Sequence, residues 1–122
     1  MTYFITRISV ALIFLYHGVV PKLIYKNDQE ILMNNTLMPF ISEGSALFYS
    51  GLFEVVYSVA LLVFYRSKLL MYPTIVFSIM VTLALIVKLP QLFQNAFNPL
   101  SINFAILILA ILNIRELKNI KP

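Results

Sequence analysis

Residues 46–65 read ALFYSGLFEVVYSVALLVFY, and Glu54 is the one charge in that run. A helix of about 20 apolar residues crosses a hydrocarbon core of about 30 Å. An acid at that depth costs roughly 2.5–3.5 kcal/mol even on lenient insertion scales, so it needs a partner or a task. Three other stretches, 3–20, 69–87 and 99–114, have similar length and apolar character. The chain has 122 residues, 61% hydrophobic and 11% charged. That little charge cannot cover the apolar surface of a soluble domain, so lipid must be the solvent. The expected fold is all-α: one integral membrane domain, 1–122, built as a four-helix transmembrane bundle.

Composition removes several chemistries. There is no Cys, which excludes disulfides, thiolate catalysis and thiolate metal sites in this chain. One His argues against a multi-His metal site, so no metal is expected. No phosphate-cradling glycine loop, serine nucleophile motif or dinucleotide fingerprint is present. The N-terminus looks like a signal peptide only superficially. Arg7 precedes an apolar stretch, but no small-x-small cleavage site follows, so the stretch reads as a retained first span closed by Pro21.

The net charge of +4 reads as membrane topology rather than nucleic-acid binding. The termini and the 66–68 turn carry Arg7, Arg66, Lys68, Arg115, Lys118 and Lys121, while the other connections carry only Lys22, Lys26 and Lys88. The richer side is normally cytosolic. Both termini are therefore expected in the cytosol, in a bacterial inner (plasma) membrane. Arg7, near the inner end, is expected to snorkel to the headgroups. In the first outer loop, Asn27 with Glu30 three positions on has the capping-box spacing. Ile31, Leu32, Leu37, Met38 and Phe40 then suit a short interfacial helix, or one folded over the bundle mouth.

Polar residues recur at helical spacing inside the spans. Ser50, Glu54 and Ser58 share one face of the second span, with Tyr57 beside them, and Thr74, Ser78 and Thr82 share one face of the third. The tight Arg66-Ser67-Lys68 turn would pair these two spans as a hairpin, with the threonine stripe toward the second. Hydroxyls at such positions serve close helix packing as readily as a site. At about 1.5 Å rise per residue, His17, Glu54, Thr82 and Asn103 all lie roughly 18–21 Å from the inner ends of their spans. Lys22, Lys88 and Asn98 sit just above that layer. The candidate ligand-binding residues are therefore His17, Lys22, Glu54, Tyr57, Thr82, Lys88, Asn98 and Asn103. Glu54 is expected within hydrogen-bond reach of at least one of His17, Asn103, Tyr57 or Thr82, directly or through one water.

Three segments carry a family likeness. They are YHGVVPK at 16–22, GLFEVVY at 51–57 and FNPLSIN at 97–103, and together they resemble the DoxX-like family. The resemblance implies a four-helix membrane protein of the DoxX and DoxD group, some members of which are linked to thiosulfate oxidation coupled to quinone. Some DoxX-like members are joined to NAD(P)-binding Rossmann domains. It thus implies a redox setting, with a quinone as the candidate ligand and a redox subunit or NAD(P)-binding protein as the candidate partner. Two readings stand. In one, the chain is a small membrane subunit of a redox system that binds a quinone-like molecule in the outer half of the bundle. In the other, it is a non-enzymatic scaffold or lipid-binding subunit with Glu54 in a structural network. Membrane lipids are partners in both. A transport pathway would require a homo-oligomer of so short a chain.

Overall fold

A computed structural model of the chain describes residues 1–120; Lys121, one of the cations assigned to the inner side, lies outside them. Every regular element among the described residues is helical. Helix α1 (Thr2–His17) runs into a π-helical stretch, Gly18–Ile24. Then follow α2 (Asp28–Leu37), α3 (Glu43–Val63), α4 (Met71–Lys88), a 3-10 turn (Pro90–Gln94) and α5 (Pro99–Asn119). Four of these helical segments, Thr2–Ile24, Gly44–Val63, Met71–Lys88 and Pro99–Asn119, are long and apolar enough to cross a membrane.

Pro21 does not close the first span. A proline ring clashes with the carbonyl four residues back and removes a donor. Here the turn widens to a five-residue repeat, as when Tyr25 N–H donates to Val20 C=O at 3.0 Å. The helix therefore continues for another turn past the expected end. Lys26, with φ of 48°, then reverses the chain, and Asn27 caps α2 by accepting from Gln29 N–H at 2.9 Å. Only half of the capping box is made, because the Glu30 side chain is engaged elsewhere.

Helix α1 lies between α3 and α5, and α4 packs on the far side of α5. The core is correspondingly α1-centred: Val10, Ala11 and Phe14 meet Leu61, Met71, Ile106, Ala110 and Ile114. The expected α3–α4 hairpin is connected but not packed. The chain turns through residues 64–70, yet no Cα of α3 comes within 8 Å of one in α4. The threonine stripe divides accordingly. Thr74 meets Tyr57 of α3 at 2.8 Å, whereas Thr82 accepts from Asn103 of α5 at 3.0 Å. Helix α2 spans the gap at one end, packing on both α3 and α4. Its Met33 and Leu37 cover Leu85, Leu89 and Leu92.

Two contacts fix α1 against α3. At the crossing, a Cβ on Gly18 would stand 2.8 Å from Gly51 C=O, and one on Gly51 would stand 3.0 Å from Gly18 C=O. Gly18 has ordinary right-handed dihedrals, so its missing side chain serves proximity rather than conformation. At the other end, Arg7 does not snorkel. It is 1% exposed, and its guanidinium donates to Leu61 C=O (2.8 Å), Phe64 C=O (2.8 Å), Ser67 C=O (3.1 Å) and Asn113 Oδ1 (3.3 Å). The last turn of α3 leaves carbonyls without donors, and a planar cation satisfies several at once. Those carbonyls outcompete the headgroups because they are within reach of a side chain already packed at the helix contact.

Candidate ligand-binding cavity

The close Gly18–Gly51 crossing decides what faces what one turn further on. Lys22 is four residues beyond Gly18, and Glu54 is three beyond Gly51, so each projects from the touching face. Lys22 Nζ donates to Glu54 Oε1 at 2.6 Å. It also stands 3.4 Å from Glu30 Oε2 on α2. His17 Nδ1 lies 3.8 Å from the other Glu30 oxygen. The four groups thus form a continuous charged chain, His17–Glu30–Lys22–Glu54, running from a partly exposed imidazole to a buried carboxylate.

One atom of this cluster is unspent. Glu54 is 9% exposed, and its Oε2 is buried with no hydrogen-bond partner. A buried charged oxygen without a donor is costly, and native proteins rarely leave one. Glu54 lines a cavity of about 740 Å³ enclosed among α1 and its extension, α2, α3, α4 and α5. This volume lies in the range of small-molecule sites. Its lining combines polar groups, His17, Lys22, Glu30, Asn34, Asn98 and Asn103, with apolar ones that include Phe14, Phe77, Val81 and Leu85.

Five of the eight residues singled out from sequence line this cavity: His17, Lys22, Glu54, Asn98 and Asn103. Thr82 stands behind it and orients Asn103. Asn98 is also the N-cap of α5, accepting from Leu100 and Ser101 N–H at 3.0 and 3.3 Å. Tyr57 does not line the cavity, and its hydroxyl bonds Thr74 and the Leu70 carbonyl. Lys88 is exposed and reaches only Thr36 C=O, at 3.5 Å. The direct hydrogen-bond partner of Glu54 is none of the four expected residues. Lys22 takes that place because the π-helical extension carries it inward instead of leaving it at the mouth.

Glu30 is the residue that sequence reasoning passed over as a site group. Helix capping accounts for its place in the Asn27-x-x-Glu30 pattern, and nothing local signals a contact with residues 17 and 22. Burial pushes the Glu30 carboxyl up, but the neighbouring His17 and Lys22 together lower it by more and leave it below the ordinary carboxylate value. The sign follows. Glu30 contributes to α2 docking fully above the unfolded value near about 4.3, and this contribution is lost as pH falls through the lower folded value. Amide protection across α2 should therefore decline below about pH 4.3 in the wild type. Glu30→Gln should be less protected at neutral pH and nearly flat across the same window. Equal, pH-independent protection in both would show that the ion cluster does not hold α2.

The DoxX-like family model matches residues 11–111, which include every cavity residue named above. The chain belongs to the DoxX-like family. Comparison with curated proteins and with solved structures finds no match. The three segments that carry the DoxX-like resemblance converge on this cavity. The first supplies Tyr16, His17, Pro21 and Lys22, the second Glu54, and the third Phe97, Asn98, Ser101 and Asn103. Gly51, in the second, sets the helix crossing that brings Lys22 to Glu54. This DoxX-like protein is thus a multi-pass membrane protein whose motif residues lie around one polar cavity.

Proposed function

We propose that this protein is a small membrane subunit of a redox system that binds a quinone-like molecule in the cavity beside Glu54. The observation that carries the reading is the buried, unpartnered Glu54 Oε2 in the cavity wall. A carboxylate oxygen accepts, so the ligand it suits presents a hydroxyl, as the reduced form of a quinone does. Asn103, held by Thr82, would orient the ring, and Phe14 and Phe77 would cover its faces. A quinone-like ring supplies coupled electron and proton exchange. The chain's own part is to take the proton at Glu54 and pass its charge along Lys22, Glu30 and His17 to the partly exposed end. The electron-transfer partner is a second subunit or an NAD(P)-binding protein, since this chain has no Cys and no dinucleotide fingerprint.

The test is mass spectrometry of small molecules retained after mild detergent extraction. Wild type should retain a quinone, and Glu54→Gln should lose most of it while keeping its fold, because Lys22 still has Glu30. Unchanged retention in Glu54→Gln would favour the scaffold reading. One observation supports that reading: Lys22 is already engaged by both carboxylates, as in a self-contained structural network.

The same reading has both termini in the cytosol and the cavity in the outer half of an inner membrane. Arg7 and Lys22 are buried, so their charges no longer count toward the surface bias. Arg66, Lys68, Arg115 and Lys118 remain at one end against Lys26 and Lys88 at the other. A reporter fused to the C-terminus should be active only in the cytosol, and one inserted near Asp28 only outside. The reverse pattern would overturn the orientation.

A further inference from the structure

A second cavity, about 250 Å³, lies against the first and shares Phe14 and Phe77 with it. Phe53 and Tyr57 of α3 form one side, and Val76 and Met80 of α4 the other. It is apolar in effect, because the Tyr57 and Thr74 hydroxyls are spent on each other and on the Leu70 carbonyl. It sits where the α3 and α4 backbones stay apart, at the level of the spans. Phe53, Val76 and Met80 are 57%, 53% and 63% exposed, and at span depth the medium they meet is lipid. At the opposite end helix α2 covers part of the polar cavity. Helix α2 is held there by the Glu30 contacts to His17 and Lys22 and by Met33 and Leu37 on the Leu85 cluster.

We propose that this apolar cavity is a side passage that holds the hydrocarbon tail of the ligand whose polar head lies at Glu54. The ligand class is then an amphiphile with one apolar chain, entering sideways from the bilayer rather than from water. The inference rests on the ligand-binding reading above. Phe14 and Phe77 line both cavities, so a chain passing between these two side chains would join a head in the first to a tail in the second. A chain moving from lipid into this passage crosses no polar layer and needs no opening of α2.

The probes are a decyl-bearing, fully substituted benzoquinone and tetramethylbenzoquinone, both kept reduced, with the protein in nanodiscs. Met80→Trp fills the passage without touching the charged cluster. It should weaken the decyl probe about tenfold, the order set by overpacking an apolar site, and leave the tailless probe unchanged. A second measurement does not depend on that variant folding well. The chain has no Cys, so Met80→Cys carries the only thiol. The decyl probe should slow its labelling by a lipid-soluble thiol reagent, and the tailless probe should not. Equal labelling with and without the decyl probe, or wild-type affinity of Met80→Trp for it, would overturn the passage. Failure of both probes to bind the wild type would instead overturn the ligand reading itself.

Discussion

Arg7→Leu should destabilise the protein by at least about 3 kcal/mol, since each buried acceptor left without a donor costs roughly 1–3 kcal/mol. The guanidinium supplies four acceptors on three segments: Leu61 and Phe64 carbonyls at the end of α3, the Ser67 carbonyl in the turn, and Asn113 on α5. Asn113 in turn donates to the Tyr3 carbonyl at 2.9 Å and to Thr6 Oγ1 at 3.0 Å. Removing the cation thus unties α1, α3 and α5 at one end of the bundle. No carboxylate among the described residues pairs with Arg7, so the loss is one of hydrogen bonds rather than of an ion pair. Arg7→Lys should recover little, because an ammonium on a single stem cannot fan out to carbonyls this far apart. Thermal or denaturant unfolding in detergent measures it. An Arg7→Leu protein that unfolds with the wild type would show that water or lipid headgroups replace the guanidinium.

Lys22→Met should cost a comparable amount, about 3–5 kcal/mol, the range for removing one partner from a buried ion cluster. It leaves Glu54 and Glu30 on one cavity wall with no cation between them. The sharper expectation concerns the double change. Adding Glu54→Gln to Lys22→Met removes one of the two stranded charges, so stability should rise relative to Lys22→Met alone. The coupling in the cycle should reach roughly 0.5–3 kcal/mol, the range for residues in direct contact. Additive effects would mean that the two side chains do not share the contact seen at 2.6 Å. Ligand retention separates this from the functional question, because the double variant should be folded yet empty.

Much of this architecture is determined by sequence alone. Four apolar stretches separated by polar or charged connections can only be membrane helices, because lipid leaves the backbone no other partner than itself. Their lengths come from bilayer thickness, and the cap at Asn27 follows from a side chain that accepts where helix donors are free. Glu54 stands out as a buried group with a partner or a task, because an acid in such a run is too costly to leave idle. The short helix between the first and second spans follows from a local capping pattern.

Tertiary structure decided the partners. The sequence order suggests that α3 and α4 pack as a hairpin, but α1 is the central helix, α3 and α4 stay apart, and the cavity lies among all five helices. Which helices touch depends on where small residues allow backbones to meet, and Gly18 finding Gly51 is a contact between distant segments. That crossing, with the π-helical turn that accommodates Pro21, turned Lys22 from a residue at the mouth into the centre of the ion cluster. It also brought in Glu30, whose local role as a capping residue hid it. Arg7 went to buried carbonyls rather than headgroups for the same reason. A long side chain pairs with whatever acceptor the packing places in reach, and packing between segments more than 50 residues apart leaves no local signal in either one.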